Sequence, residues 1–183
     1  MSHEAPILQL NTEMTWRGGE QQTLYLARGV RETRACVVVG RPDGVLLNRC
    51  SEIDIDVASI PSAGPRGVLA LRRLIRRLRP AVLHAHTSRT HQLARLANAG
   101  LRSSVPLVVT RRVSFPMKRG GFTRWKYLTG VSRYAAVANA VGEVLLDGGV
   151  PPERIATIHS AVDFAEVDAT PASPLELGVG DVT

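Results

Sequence analysis

Three groups of residues have types and spacings suited to chemistry. The first is Gly18-Gly19, placed where a short apolar run, Ile7–Leu10, gives way to a helical pattern. Glycines at such a junction let a phosphate approach the backbone, and the helix N-terminus offers it unpaired N–H groups and partial positive charge. A plain strand-to-helix turn looks the same, and the three spaced glycines of a dinucleotide site are missing. The second group is His84-Ala85-His86 with His91. Two histidines two apart at a strand end share one face, and strand C-termini are where open α/β sheets bind ligands. His86, the last residue before the loop, is placed to donate to a sugar hydroxyl or a phosphate. A metal needs more ligands than His-x-His supplies. A metal-dependent hydrolase on His84, His86 and His91 is one alternative, and hydrogen-bonded structural histidines are another. The third group is 110–127, where six basic residues interleave with four aromatics. Arg111 and Arg112 can clamp a phosphorylated or acidic substrate. Lys118, Arg119, Arg124, Trp125 and Lys126 fit an anionic membrane or stacked nucleic acid. A solvated loop with Trp125 and Tyr127 packed inward is the alternative. There is no Gly-x-Ser-x-Gly elbow, and neither cysteine has a His or Asp in a suggestive local setting.

These residues need elements to hold them. Apolar runs at Ile7–Leu10, Ala35–Val39, Ala81–His84, Pro106–Val109, Tyr134–Val137 and Arg154–Ile158 read as strands, and the Ile/Asp alternation of Ile53–Val57 as a strand with one wet face. Helical patterns begin at Gly18-Gly19 and cover Gly67–Arg79, His91–Ala99, Phe122–Leu128 and Ala140–Leu146. In Gly67–Arg79 the stripe Val68, Leu71, Leu74, Ile75, Leu78 is apolar, and Arg72, Arg73, Arg76, Arg77 and Arg79 lie opposite it. Pro80 stops that helix. Helices between most strands predict an α/β fold with a parallel sheet covered on both faces.

Composition narrows the class. The 183 residues fit one domain, and 44% hydrophobic with 21% charged is ordinary for a globular protein, which excludes disorder, collagen and coiled coil. No apolar run approaches the ~20 residues of a membrane span, and the N-terminus lacks a secretory pattern. Cys36 and Cys50 are too few for a disulfide framework or zinc site, so a reducing cytoplasm is expected, with Cys36 a buried free thiol. The net charge of +7 is unevenly spread. Residues 57–142 carry 16 bases and no acid, while 143–183 carry eight acids and only Arg154. Such a block should make a strong positive patch, although charged helix faces are more often simply solvated. After Asp163 the sequence becomes acidic and rich in Pro, Ala and Ser, which reads as a linker.

Several segments, in order, resemble the N-terminal domain of family 4-like glycosyltransferases. Trp16-Arg17-Gly18-Gly19-Glu20-Gln21-Gln22 is similar to the family's first strand–helix junction, and Leu78–His86 to its Arg-Pro-Asp-Val-Val-His-Ala-His segment. Val109–Pro116 is similar to the loop of members that glycosylate lipopolysaccharide and lipids; Gly149–Ile155 and Ile158–Asp163 are similar to the segment closing the domain. The resemblance spans residues 7–163. It departs at Ala81, where Asp is usual, at Ala138, where a helix-capping Ser is usual and Asn139 is expected to take over, and at Ala161, where Gly is usual.

The resemblance implies a Rossmann-like domain, one half of a GT-B architecture, over 1–163, with 164–183 as a linker toward a C-terminal donor-binding domain missing from this sequence. It implies sugar transfer with retention of configuration from a nucleotide-sugar to a glycan or lipid-linked, lipopolysaccharide-type acceptor, with no metal or cofactor. Gly18 and Gly19 would lie against the donor diphosphate, His86 would contact the reaction centre, and Arg111 and Arg112 would line the acceptor side. Arg72, Arg73, Arg76, Arg77, Lys118, Arg119, Arg124, Trp125 and Lys126 would meet an anionic membrane surface at the cytoplasmic face. Alone, this half should be inactive. The rival is a non-enzymatic basic module for nucleic acid or anionic lipid; the resemblance disfavours nucleic acid.

Overall fold

The computed structural model describes residues 5–61, 64–101, 103–117 and 120–164. Seven strands, β1 (Ile7–Leu10), β2 (Cys36–Gly40), β3 (Asp56–Ser59), β4 (Val82–Ala85), β5 (Leu107–Arg111), β6 (Arg133–Ala136) and β7 (Ile155–Thr157), form one sheet in the order β3-β2-β1-β4-β5-β6-β7. Every pairing is parallel. Six helices connect them: α1 (Gly18–Arg31), α2 (Val45–Glu52), α3 (Pro65–Leu78), α4 (Ser88–Asn98), α5 (Gly121–Leu128) and α6 (Asn139–Asp147). The expected parallel α/β sheet is therefore present.

Parallel pairing follows from sequence, because each crossover is long enough for a helix, and the resulting helices cover both faces. Alternate residues along the strands feed two cores. Leu8, Leu10, Val39, Leu83, Ala85, Leu107, Val109, Tyr134 and Ala136 join Leu71, Leu74 and Ile75 of α3 and Leu93, Ala94 and Ala97 of α4. Cys36 and Val38 join Ala27 of α1 and Leu46, Leu47 and Cys50 of α2. Both cysteines are free and buried, and burial raises their thiols to about 11 for Cys36 and about 12 for Cys50.

Helix α2 is the element the sequence reading lacked. Its eight residues carry a short apolar face, Leu46, Leu47 and Cys50, too brief for periodicity to stand out. The strand expected over Ile53–Val57 begins only at Asp56, because Asp54 turns the chain in a left-handed conformation (φ 57°) and Ile55 is buried against α2. Helix α6 departs too: Asn139 is its first residue, and Ala138 occupies the cap with no side-chain bond. Residues 165–183 of the expected linker lie outside the described residues.

The chain runs outward from β1 to β3, then crosses back to place β4 on the other side of β1. This reversal opens a crevice beyond the C-terminal ends of β1 and β4, the usual ligand position in such sheets. The N-termini of α1 and α4 face that edge.

Candidate functional site

The crevice floor is polar, although strands of this kind are normally apolar throughout. Gln9 is fully enclosed within β1, and Asn11, Thr12 and Glu20 are buried just beyond it. Asn11 Nδ2 donates to Glu20 Oε1 and to Thr23 Oγ1, each at 3.1 Å, and Asn11 Oδ1 accepts from the Glu13 N–H at 3.1 Å. Glu20 Oε2 accepts the Arg17 N–H at 3.1 Å. These bonds brace the β1–α1 turn and fix where the first turn of α1 points. Sequence reasoning missed Gln9, Asn11 and Glu20; the available signal was a glutamine inside an apolar strand.

Gly18 and Gly19 open α1 as expected. Neither adopts a positive φ. A Cβ on Gly18 would meet nothing within 4 Å, and one on Gly19 would only touch Arg112, 3.9 Å from Nε. The protein's own packing therefore does not require glycine at either position. Their effect is to leave the end of α1 bare, where unpaired N–H groups and the helix dipole favour an anion.

His86 sits at the crevice centre. Its N–H donates to Leu10 O at 3.1 Å, and its ring Nε2 meets Gln9 Oε1 at 2.7 Å. Arg112 Nη2 stands 3.5 Å from Nδ1. Guanidinium only donates and the glutamine oxygen only accepts, so the proton lies on Nε2 and the Nδ1 lone pair faces Arg112. Burial first, then His84 and Arg112, lower the His86 pKa well below its ordinary value. Both ring nitrogens of neutral His86 thus have partners within the protein. His84 stacks beside it, ring centroids 4.2 Å apart. Its Nε2 bonds Thr110 Oγ1 at 2.8 Å, and burial and Arg112 lower it to about 4. His91 points elsewhere, edge-on to Tyr127 at 5.1 Å. Among the described residues no three His, Cys, Asp or Glu side chains group as a metal would need.

The two arginines expected to act as one clamp are split. Arg112 joins Gly19 and His86, and its Nε is buried without a partner. Burial pulls its guanidinium below the ordinary range, with Glu20 opposing. Arg111 is 8% exposed and turns inward. It donates to Val113 O at 3.1 Å, to Tyr127 OH at 2.9 Å and to Phe115 O. Three of its five N–H donors are thus spent inside its own loop and on Tyr127, and strand alternation sends it to the side opposite Arg112.

The basic surface is also smaller than composition implied. Lys126 is 7% exposed, with Nζ on Ser88 O at 3.1 Å and Ser88 Oγ at 2.7 Å; it belongs to the interior. Arg72 caps the end of α4, donating to Ala97 O at 3.0 Å, Leu96 O at 2.8 Å and Ala99 O at 2.9 Å. Trp125 is half-buried, with the Arg95 guanidinium 4.5 Å over its ring. Arg73, Arg76, Arg77 and Arg124 are exposed. Lys118 and Arg119 lie outside the described residues. Phe115 and Phe122 are 74% and 58% exposed.

After β7 the chain returns to α1. The Ala161 N–H donates to Gln22 Oε1 at 2.9 Å, the Gln22 amide donates to Ala161 O, and Arg28 pairs with Asp163 at 3.4 Å. Ala161 is not in a left-handed conformation, so alanine is accommodated where the resemblance has glycine.

Residues 16–166 match the family described as Glycosyltransferase Family 4. No curated protein matches the chain in sequence. Among solved structures, a glycosyltransferase from Rickettsia africae aligns with TM-score 0.72 and 17% identity, over 93% of this chain and 47% of that one. Alr3699/HepE of Anabaena, in complex with UDP and glucose, aligns with TM-score 0.70 and 16% identity over 88% and 46%. The lipopolysaccharide outer core galactosyltransferase WaaB aligns with TM-score 0.66 and 10% identity over 86% and 46%. At these identities the likeness shows the fold alone: a Rossmann-like half of the GT-B architecture. The chain spans about half the length of the structures it matches.

Proposed function

Because the chain belongs to Glycosyltransferase Family 4, we propose that it is the acceptor-side half of a retaining, metal-independent glycosyltransferase, which moves a sugar from a nucleotide-sugar to a lipid-linked or lipopolysaccharide-type acceptor. The observation that carries this reading is the meeting of the bare α1 N-terminus, Arg112 and neutral His86 in one crevice. Breaking the bond between a sugar and a nucleoside diphosphate leaves growing negative charge on the diphosphate. The N–H groups at Gly18 and Gly19 and the Arg112 guanidinium can receive that charge, and preorganised donors of this kind lower the barrier most. Neutral His86, fixed between Gln9 and Arg112, would hold Arg112 toward the reaction centre and pack against the donor sugar. UDP or a UDP-sugar in the related HepE structures supports a nucleotide-sugar donor. A facing domain must supply the rest of the donor site.

The reading places the enzyme at the cytoplasmic face of a membrane, touching it peripherally. No helix among the described residues is long and apolar enough to cross one. The exposed Phe115, Phe122 and Arg124 suit the interface, where rings sit at headgroup level and cations above phosphates.

The test uses the enzyme with its facing domain, incubated with a panel of nucleotide-sugars in the presence of EDTA. Transfer should survive chelation, give a product with the donor's anomeric configuration, and fall about 10²-fold in kcat/KM in Arg112→Ala. No donor consumption across the panel sinks the glycosyltransferase reading, and an inverted product sinks retention.

A further inference from the structure

Beneath α5 the fold gathers cations that no acid balances. Lys126 is 7% exposed, and Arg95 and Arg111 are 8% each. Among the described residues, no carboxylate comes within 4.0 Å of any of the three. Residues 57–142 contain no acid to offer. Each cation ends instead on neutral acceptors: Arg95 on Thr129 Oγ1 at 2.7 Å, Arg111 on the carbonyls and the phenol described above, and Lys126 on Ser88. Neutral acceptors satisfy donors but leave the charge uncompensated, which is costly in a buried place.

The consequences of that crowding are visible around it. Burial, then Arg111, lower the Lys126 pKa. Burial, with Lys126, Arg95 and Arg111 adding to it, takes His91 down to about 3. His91 Nε2 is buried with no partner. An ammonium group has three donors, and Ser88 takes two of the three at Lys126. This interior charge also has an outlet. Ser88 is exposed, opens α4 and follows His86 by two residues, so it lies on the crevice edge, and its hydroxyl hydrogen is free because Oγ accepts from Lys126.

We propose that Ser88 and Lys126 form a binding site for a phosphate group, separate from the donor-phosphate position at Gly18 and Gly19. The inference rests on the glycosyltransferase reading and names its acceptor class: a molecule carrying a phosphate close to the hydroxyl that receives the sugar. Lys126 supplies the countercharge and the unused donor, the Ser88 hydroxyl donates a second bond, and Arg95 and Arg111 contribute field without contact.

The experiment is thermal denaturation of this chain against inorganic phosphate at constant ionic strength, with sodium chloride as the control. Wild type should gain stability with phosphate in a saturable way. Lys126→Met should raise the apparent Kd at least tenfold and, without phosphate, be no less stable than wild type, because it removes an uncompensated charge. A lysine that merely tied α5 to α4 would give a destabilised variant whose response to phosphate is unchanged, and that result overturns the proposal. Ser88→Ala, at an exposed position, reads the same site and should also weaken binding. The comparison is repeated in a Gly19→Val background, which blocks the α1 anion position; the response that remains there should depend on Lys126, and loss of all response to phosphate in that background would put the anion at α1 and overturn the proposal. Parallel titrations with a hexose phosphate and with phosphatidate vesicles, each against Lys126→Met, tell a glycan phosphate from a lipid headgroup. Binding of both that ignores Lys126 overturns the assignment. An enzyme that turns over no nucleotide-sugar would leave these binding results standing, so the two readings fail separately.

Discussion

Acidification from pH 7 to pH 5 should destabilise this domain well before its carboxylates are involved. His84 and His91 are held at about 4 and about 3, against an ordinary 6.5, and His86 lies well below 6.5. All three are bases whose folded pKa is depressed, so below 6.5 the unfolded chain binds more protons than the folded one. Stability is therefore complete at neutral pH and is lost as pH falls through 6.5 toward the folded values. At about 1.36 kcal/mol per pH unit for each group, His84 and His91 each cost about 2 kcal/mol by pH 5. Together they remove about 4 kcal/mol, a large part of the roughly 5–15 kcal/mol a domain has, and His86 adds to it. For a chain of this length that is a fall in Tm of roughly 8–16 °C.

Circular dichroism melts at pH 7, 6 and 5 measure it. Ordinary carboxylates titrate near pH 4 and contribute little in that window. His91→Phe should keep the ring contact with Tyr127 and flatten the pH dependence by about 2 kcal/mol at pH 5, whatever its stability at pH 7. A Tm that moves by less than about 3 °C between pH 7 and 5, or a slope unchanged in His91→Phe, would refute the reasoning.

Three substitutions test other parts of the structure. Gly19→Val, at a position with ordinary φ where a Cβ meets only the Arg112 side chain at ordinary contact distance, should shift stability by no more than about 1 kcal/mol yet raise the KM for the nucleotide-sugar at least about tenfold in the enzyme with its facing domain; an unchanged KM would remove α1 from the donor site. Gly130→Ala puts a side chain at φ 60° onto the Arg95 guanidinium, and should cost about 2–3 kcal/mol in urea denaturation through left-handed strain and a displaced buried cation. Asn98→Leu removes a paired contact, Nδ2 to Val105 O at 2.7 Å and Oδ1 from Val105 N–H at 2.9 Å. It should destabilise by about 2–4 kcal/mol, because both backbone groups are left unpaired; a neutral effect would mean water replaces the asparagine.

Much of the fold was legible because its signals are local. Apolar runs of four or five residues alternate with helical stripes, and each observed strand except β3 lies within a residue or two of where the pattern put it. The failures are local as well: an eight-residue helix shows too few turns for periodicity, and Ile53-Asp-Ile-Asp imitates a strand where the chain is turning. The site was half legible. Gly18, Gly19 and His86 could be placed at one edge because strand ends and helix starts in a parallel sheet point the same way.

What the chain alone determined, then, is the order of elements, the parallel sheet and the edge at which the candidate residues gather. The tertiary structure decided which charges are available there. Arg111 and Arg112 are neighbours in sequence, yet one is bonded inside its loop and the other stands against Gly19 and His86. Lys126 and Arg72 counted toward a basic surface until packing gave them Ser88 and the end of α4 as partners. Composition counts charges along a line, whereas burial and hydrogen bonding are settled across the sheet, between residues far apart in the chain, and these decide whether a cation meets a ligand, a carbonyl or water.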